Sequence, residues 1–244
     1  MNPFALTGKT VLITGASSGL GKQTAITVSQ LGAKLIITGR DAHRLHETYQ
    51  SLEGEGHLEI LADLTIQTDI DALVAALPLL NGVVSSTGIS DLSPARFLNS
   101  EAISKTFNIS YNASVLLMSG LLAKKKLQKS NCSIVFISSI STRYPFVGGA
   151  MYISAKAALE AYARVLALEL AQKEIRVNCV APAFVRTPML KETATNFSQD
   201  AVNMIEAKQP LGLGDPVDVA NTIAFFLMDA SKWITGTNLI LGGG

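Results

Sequence analysis

The chain contains few of the residues that mark disulfide-rich, nucleic-acid-binding or membrane-spanning proteins. Of its 244 residues only Cys132 and Cys179 are cysteines, too few for a disulfide framework or a cysteine-rich metal site. Charged residues make up 16% of the chain and the formal net charge is +1, so no basic stripe indicates nucleic acid. No apolar run approaches the roughly 20 residues that span a bilayer, and the N-terminus has no signal-peptide pattern. We therefore expect a cytoplasmic protein that binds no metal, nucleic acid or membrane.

What the chain does contain is a regular alternation of apolar patterns. Short β-branched runs predict seven strands at Thr10–Thr14, Lys34–Thr38, His57–Leu61, Gly82–Ser86, Ser133–Ile137, Arg176–Val180 and Asn238–Leu241. Helical periodicity predicts helices at Gly19–Leu31, Ala42–Leu52, Ile66–Leu77, Ser100–Leu127, Met151–Gln172 and Pro216–Met228. The alternation indicates an α/β fold, a doubly wound seven-stranded parallel sheet with helices on both faces.

No linker, repeat or low-complexity segment divides this pattern, so we predict a single domain over residues 1–244. The stretch 187–209 has no clear strand and is interpreted as a helical excursion that covers the substrate. The basic run Lys124-Lys125-Lys126 follows an apolar helical pattern and is interpreted as the solvated C-terminal end of that helix.

A glycine-rich turn follows the first predicted strand and leads directly into the first helix. Glycines at this place allow a tight turn and let backbone N–H groups approach a pyrophosphate at the helix N-terminus. The spacing is Gly-x-x-x-Gly-x-Gly, which differs from the Gly-x-Gly-x-x-Gly of larger dinucleotide domains. In this context the turn predicts a dinucleotide site in a Rossmann fold. The predicted lining residues are Gly15, Ser17, Ser18, Gly19, Leu20 and Gly21.

The end of the second predicted strand bears on which dinucleotide binds. An acidic residue there would bind the adenosine ribose diol and repel a 2′-phosphate. The chain has Arg40 instead, which favours NADP(H) over NAD(H), although an arginine can also simply solvate a strand end. Asp63 closes the third predicted strand. It is a candidate for the adenine amino group or, alternatively, the N-cap of the next helix.

Tyr152 and Lys156 lie four residues apart in a predicted helix and therefore share one face. A free tyrosine titrates near ~10 and is a poor acid or base at neutral pH. A nearby ammonium favours the phenolate and lowers the pKa of the phenol. The pair predicts an acid/base device for a hydroxyl or carbonyl, although Tyr-x-x-x-Lys alone is often an ordinary surface helix face.

Together these motifs resemble the short-chain dehydrogenase/reductase family, and its 3-oxoacyl reductase branch in particular. The resemblance spans the whole chain and includes TGASSGLG, ISS ending the fifth strand, YISAK, NCVAPAFVRTPM and ITGTNLILGGG. It implies that Tyr152 is the acid/base, that Lys156 lowers its pKa and holds the nicotinamide ribose, and that Ser139 binds the substrate oxygen. The further cofactor-binding positions that it implies are Leu64, Ser85, Thr87, Gly88, Pro182, Val185 and Thr187.

The sequence also departs from the family pattern. The family's Asn-Asn-Ala-Gly is Ser85-Ser86-Thr87-Gly88 here, and the shorter Ser85 would reach its partner through water. The asparagine that completes the family's catalytic tetrad aligns best with Ser110, with Asn108 as the alternative. With Ser110 at this place, the proton relay is altered or slow.

The resulting hypothesis is an NADP(H)-dependent oxidoreductase that acts on a ketone or a secondary alcohol. The alternative is a nucleotide-binding protein on the same fold with weak or lost catalysis, because Ser110 replaces the tetrad asparagine. A sugar-nucleotide epimerase would need a larger C-terminal domain than this length allows. A 3-oxoacyl thioester, a sugar or a steroid-like ketone would each suit the resemblance. The resemblance also implies a homo-oligomer, a tetramer or dimer, formed through the helices predicted at Ser100–Leu127 and Met151–Gln172.

Overall fold

The computed structural model of the chain describes residues 2–194, 207 and 209–242. Seven strands form one sheet in the order β3-β2-β1-β4-β5-β6-β7, and all neighbouring strands are parallel. The strands are β1 Thr10–Thr14, β2 Lys34–Gly39, β3 Leu58–Leu61, β4 Gly82–Ser85, β5 Cys132–Ile137, β6 Ile175–Pro182 and β7 Asn238–Leu241. The predicted doubly wound parallel sheet is confirmed.

Eight α-helices surround the sheet within these ranges. They are α1 Gly19–Gln30, α2 Ala42–Gln50, α3 Gln67–Ala76, α4 Ser100–Phe107, α5 Ala113–Ala123, α6 Ala150–Leu170, α7 Pro188–Ala194 and α8 Pro216–Leu227. None of the helices in the described part of the chain is long and apolar enough to cross a membrane. Helix α7 opens the predicted excursion at 187–209, and residues 195–206 and 208 of that excursion lie outside the described residues.

Two apolar cores, one on each face of the sheet, follow from the alternation of side chains along each strand. Leu12 and Ile36 point to the face covered by α3, α5 and α6, whereas Val11 and Ile13 point to the face covered by α1, α2 and α8. The central strands are therefore apolar on both sides, which explains their nearly continuous β-branched sequences. Cys132 and Cys179 are buried free thiols in the first of these cores.

The helix predicted over Ser100–Leu127 is interrupted. Between α4 and α5 the chain forms a π-helical segment, Asn108–Asn112, and α5 ends at Ala123 rather than at Leu127. Lys125 then adopts a left-handed conformation (φ 53°), which a continuing α-helix does not allow. Leu127 forms an isolated parallel bridge with Leu80, so the chain is already returning to the sheet.

The interpretation of Lys124-Lys125-Lys126 as a solvated helix end is wrong for Lys126. Its ammonium donates to the carbonyl oxygens of Ala75 (3.2 Å) and Leu77 (2.5 Å), at the C-terminus of α3. A cation there satisfies carbonyl groups that have no partner inside the helix and interacts favourably with the helix dipole. Lys126 thus connects α3 to the loop that leads into β5.

The strand order places the ligand-binding edge of the sheet. The chain leaves β1 toward β2 and β3, then crosses back to start β4 on the other side of β1. At such a reversal, the loops after the carboxyl ends of β1 and β4 separate and leave a crevice, which is where open α/β sheets bind ligands. The glycine-rich turn follows β1, and Ser139, Tyr152 and Lys156 come from the segments after β5.

Candidate active site

The glycine-rich turn is shaped by close contacts of its backbone. Gly15 has φ +63°, and a Cβ there would lie 2.9 Å from the carbonyl oxygen of Ser86. At Gly21 a Cβ would lie 2.2 Å from the carbonyl oxygen of Gly15. Only glycine fits these two positions, and the tight turn brings the start of α1 to the crevice. Ser18, the N-cap of α1, makes no side-chain cap hydrogen bond, so the helix N-terminus is open to an anion.

A buried hydroxyl joins the two strand ends on either side of the crevice. Thr14, at the end of β1 and fully buried, accepts hydrogen bonds from the Ser86 N–H (3.2 Å) and from the Thr87 hydroxyl (2.9 Å). The predicted residues Thr87 and Gly88 are thereby fixed beside the glycine-rich turn. Sequence reasoning missed Thr14, although a hydroxyl residue at the end of an apolar strand was a usable signal.

Arg40 follows β2 and Asp63 follows β3, and the two lie near each other on the side of the sheet where β2 packs against Ser17 of the glycine-rich turn. A Cβ on Gly39 would lie 3.2 Å from the Ser17 hydroxyl, so the glycine leaves room for this serine to pack against β2. Arg40 is exposed beside it. The Thr65 hydroxyl and amide hydrogen bonds and the Arg40 charge hold the pKa of Asp63 below its usual value.

Asp63 is not the N-cap of the following helix. Its Oδ1 accepts from the Thr65 amide (2.9 Å) and hydroxyl (2.7 Å), which closes a local turn, and α3 starts only after Ile66. Leu64 is buried in the core, so its side chain is unavailable to a ligand. The predicted adenine contact of Asp63 remains a prediction.

The loop after β6 borders the crevice on the side facing the glycine-rich turn. Pro182 ends β6, Val185 is buried and forms a bridge with Gly214, and Thr187 precedes α7. The side chain of Thr187 lies 3.9 Å from the position of a Cβ on Gly19. The loop predicted to face the nicotinamide therefore meets the turn predicted to hold the pyrophosphate.

Ser139 and Tyr152 come together although they belong to different elements. Ser139 starts the short 3₁₀ turn Ile140–Thr142 after β5, and Tyr152 lies in the first turn of α6. The Ser139 oxygen accepts from the Ser141 amide (3.2 Å) and hydroxyl (2.9 Å), so its own hydrogen stays free to be donated toward the crevice. Burial raises the pKa of Tyr152, and the Ser139 hydrogen bond lowers it in part.

Lys156 lies one helical turn after Tyr152 and is only 5% exposed. Its ammonium donates to the carbonyl oxygen of Ile137 (2.7 Å) and lies 3.1 Å from the position of a Cβ on Gly88. Burial lowers the pKa of Lys156 from 10.5 to about 8, opposed by the nearby Cys179. The ammonium is thus held between β5 and the loop after β4, in reach of the crevice.

The π-helical segment decides which residue of the interrupted helix faces Lys156. Ser110 is fully buried, its hydroxyl accepts from the Ile89 amide (3.2 Å), and it lies 3.7 Å from the position of a Cβ on Gly88. Asn108 is exposed and accepts a hydrogen bond from Asn112 (2.7 Å). Ser110, and not the exposed Asn108, therefore lies beside Gly88, the residue that the Lys156 ammonium also approaches.

Ser85 is the predicted residue whose side chain is engaged elsewhere. Its hydroxyl forms a buried hydrogen bond with the hydroxyl of Ser114 on α5 (2.7 Å). This direct contact fixes β4 to α5 and replaces the expected contact through water. Sequence reasoning missed Ser114, because nothing in a single sequence pairs two serines 29 residues apart.

The low pKa of Lys156 gives a testable effect on stability. The folded protein holds this proton less tightly than the unfolded chain, so the unfolded state binds more protons between pH 8 and 10.5. Burial of the charged Lys156 lowers the free energy of unfolding by its full amount below pH 8, and this destabilisation disappears above pH 10.5. We expect the free energy of unfolding of the wild type, minus that of Lys156→Met, to rise by about 3 kcal/mol across this window. Urea titrations at both ends measure it, and an equal difference at both would contradict it.

The sequence of the chain is similar to those of known oxidoreductases. Residues 15–244 match a family model described as enoyl-(acyl carrier protein) reductase. The chain is 33% identical to the 3-oxoacyl-(acyl-carrier-protein) reductase FabG of Rickettsia felis, over 98% of this chain and 97% of that protein. It is 30% identical to the 2,5-dichloro-2,5-cyclohexadiene-1,4-diol dehydrogenase LinX of Sphingobium indicum, over 98% of this chain and 96% of that one.

Solved structures are similar over the same length. A short-chain type dehydrogenase/reductase from Mycobacterium ulcerans superimposes with a TM-score of 0.90 at 26% identity, covering 98% of this chain and 90% of its own. A short chain dehydrogenase/reductase family protein superimposes with a TM-score of 0.87 at 28% identity, covering 98% and 97%. The relatives thus include reductases and dehydrogenases on the same scaffold.

Proposed function

The chain belongs to the short-chain dehydrogenase/reductase family of oxidoreductases, and on that basis we propose that it is an NADP(H)-dependent reductase of a ketone or dehydrogenase of a secondary alcohol. The observation that carries the proposal is the placement of Ser139, at the turn after β5, close enough to Tyr152 to offset part of the rise that burial causes in the pKa of its phenol, with Lys156 one helical turn further along α6 and buried beside Gly88. Three groups able to stabilise or move a proton at one oxygen atom meet at the carboxyl edge of the sheet.

The crevice fits a nicotinamide dinucleotide. Gly15 and Gly21 leave room for the backbone turn at the start of α1, where N–H groups would hold the pyrophosphate. Thr187, across from Gly19, would contact the phosphate of the nicotinamide half, and Lys156 would hold the ribose hydroxyls. When bound, the cofactor supplies or accepts the hydride at the carbon of the substrate.

The chain's own groups would handle the proton at the substrate oxygen. Tyr152 donates the phenol hydrogen to a ketone oxygen, or as phenolate removes the hydrogen of an alcohol. Once a substrate is bound, Ser139 directs its single hydrogen to that oxygen as a second hydrogen bond and stabilises the developing charge. Lys156 stabilises the phenolate form of Tyr152, which the buried surroundings alone disfavour.

Arg40 supports NADP(H) as the cofactor. It is exposed at the end of β2, where a 2′-phosphate would lie between its guanidinium and the Ser17 hydroxyl. We expect Arg40→Ala to lower the ratio of kcat/KM with NADPH to kcat/KM with NADH by about tenfold to a hundredfold, since a charged hydrogen bond contributes about 1.5–3 kcal/mol. Steady-state kinetics with both cofactors measure the ratio, and Arg164→Ala, an exposed arginine of α6, is the control. A wild-type preference for NADH would refute the assignment.

The experiment that tests the function is NADPH oxidation by the wild type against a panel of 3-oxoacyl thioesters, sugar ketones and steroid-like ketones. Turnover that is lost in Tyr152→Phe supports the proposal.

Ser110 motivates the second candidate, a nucleotide-binding protein with weak catalysis, because a serine side chain is shorter than the family's asparagine. Tight NADPH binding without turnover on any substrate would favour that candidate.

A 3-oxoacyl thioester is the proposed substrate class, supported by the similarity to FabG.

We also propose a homo-oligomer, since α6 presents Val165 (52% exposed) and Leu168 (80% exposed) and α5 presents Leu116 (41% exposed) on their outer faces. A reducing cytoplasm would suit the free thiols of Cys132 and Cys179.

A further inference from the structure

A carboxylate on α6 binds the turn that carries Ser139. Glu160 lies two helical turns after Tyr152 and one after Lys156. One of its oxygen atoms, Oε1, accepts a hydrogen bond from the Ser138 hydroxyl (2.5 Å) and lies 2.9 Å from the Thr142 hydroxyl. Ser138 immediately precedes Ser139, and Thr142 ends the 3₁₀ turn that Ser139 begins. The two contacts therefore enclose Ser139 from both sides.

These contacts supplement the backbone hydrogen bonds of the segment, such as that from the Ser138 amide to the Val180 carbonyl oxygen of β6 (2.7 Å). The Thr142 hydroxyl has one hydrogen, within reach of both Glu160 and the Ser139 carbonyl oxygen (3.0 Å). The charged oxygen is the stronger acceptor. The Ser139 carbonyl keeps the hydrogen bond from the Thr142 amide (3.2 Å). Without Glu160, the hydrogen bond from Lys156 to the Ile137 carbonyl oxygen (2.7 Å) would still join α6 to the end of β5, but Ser138 and Thr142 would lose their side-chain hydrogen bonds to α6.

We propose that Glu160 is a positioning residue that fixes the Ser139 turn to the helix bearing Tyr152 and Lys156. Tyr152 and Glu160 belong to one rigid helix, whereas Ser139 lies in a loop. The distance from the Ser139 oxygen to the phenol therefore depends on links between the two elements, and Glu160 supplies those on both sides of Ser139. The inference rests on the proposed function for its effect on rate, but the link itself is independent of activity.

The consequence for the reaction is specific. If the turn moves, Ser139 no longer donates to the substrate oxygen at the right place, and a displacement of about 1 Å is enough to cost about a hundredfold in rate. Cofactor binding uses the glycine-rich turn and the ends of β2 and β6, which Glu160 does not contact. The effect should therefore appear in kcat and not in the affinity for NADPH.

Kinetics of Glu160→Ala, Glu160→Gln and the control Glu169→Ala test this effect. Glu169 is an exposed glutamate on the same helix. We expect Glu160→Ala to lower kcat by about tenfold to a hundredfold with an unchanged NADPH Kd. Glu160→Gln keeps an oxygen that can accept the same bonds, so it should stay within about threefold of the wild type. In a Ser139→Ala background, Glu160→Ala should have no further effect on kcat. Equal kcat for Glu160→Ala and the wild type, or equal losses in both backgrounds, would overturn the inference.

Hydrogen–deuterium exchange tests the link without any turnover. Amides of residues 138–144 should exchange about tenfold faster in Glu160→Ala than in the wild type, and unchanged in Glu160→Gln and Glu169→Ala. Should Glu160→Ala fail to fold, Ser138→Ala and Thr142→Val each remove one donor and should each accelerate exchange in the same segment. Unchanged exchange overturns the inference even where the enzyme is active. Faster exchange in Glu160→Ala than in the wild type, together with a wild type that turns over no substrate, supports the link and rejects the proposed function.

Discussion

Replacing Tyr152 with phenylalanine is expected to lower kcat by about a thousandfold while leaving the NADPH Kd within about twofold. The phenol is the group at the site that can give a proton to a ketone oxygen, and its hydrogen-bond partner Ser139 remains in place. Phenylalanine fills the same volume in the first turn of α6, so the fold should be retained. Stopped-flow NADPH oxidation and fluorescence titration of NADPH measure the two quantities. Tyr49→Phe is the matched control, because Tyr49 packs against the core on the opposite face of the sheet from α6.

The pH profile of the wild type should identify the same group. Burial raises the pKa of Tyr152, so the phenol is the main form at neutral pH. Ketone reduction, which needs the phenol, should be constant at low pH and fall as the pH rises through the pKa of Tyr152. Alcohol oxidation, which needs the phenolate, should rise over the same interval. A residual activity of Tyr152→Phe above about a tenth of the wild type would contradict the assignment.

Replacing Gly21 with alanine is expected to weaken NADPH binding by about a hundredfold or more. The added Cβ would lie 2.2 Å from the carbonyl oxygen of Gly15 and 3.1 Å from that of Thr14. Both neighbours are backbone atoms, so the glycine-rich turn itself must shift, and the N–H groups that would hold the pyrophosphate shift with it. Loss of one or two charge-assisted hydrogen bonds corresponds to about 3 kcal/mol, or about a hundredfold in Kd.

Isothermal titration with NADPH measures this loss of affinity, and thermal unfolding shows whether the variant is folded. Gly120→Ala is the matched control, since Gly120 lies inside α5 and its added Cβ would meet the side chain of Val74, at 3.2 Å from a methyl carbon, rather than backbone. That control should bind NADPH as the wild type does. An unchanged Kd in a folded Gly21→Ala would mean that the cofactor is held elsewhere.

The strands and the glycine-rich turn could be predicted from the sequence because their causes are local. Strands such as Leu35–Ile37 are buried on both faces, and burial on both faces demands an unbroken β-branched run. Gly15 and Gly21 were recognisable because only glycine allows the contacts that form the turn. The Tyr152 and Lys156 pair followed from the four-residue period of a helix.

The rest depended on contacts between distant segments. The Ser85–Ser114 and Glu160–Ser138 hydrogen bonds join residues 29 and 22 positions apart, and no local pattern announces them. The end of α5 was predicted too late because Leu127 is apolar in either setting, and its bridge to Leu80 is a tertiary contact. The sequence favoured Ser110 over Asn108, but it could not show which of the two is buried, because the regular helical period fails in the π-helical segment.

Because of that π-helical segment, the protein should not tolerate the loss of a single residue between 108 and 112. It holds one residue more than an α-helix would in the same distance, so α4 and α5 are out of phase by about 100°. A deletion of one codon between 108 and 112 would restore a regular helix and turn Ser110 away from Lys156, although every functional side chain would still be encoded. Natural variation in this stretch should therefore consist of substitutions, and chain-shortening events should be tolerated in loops such as 53–56 instead.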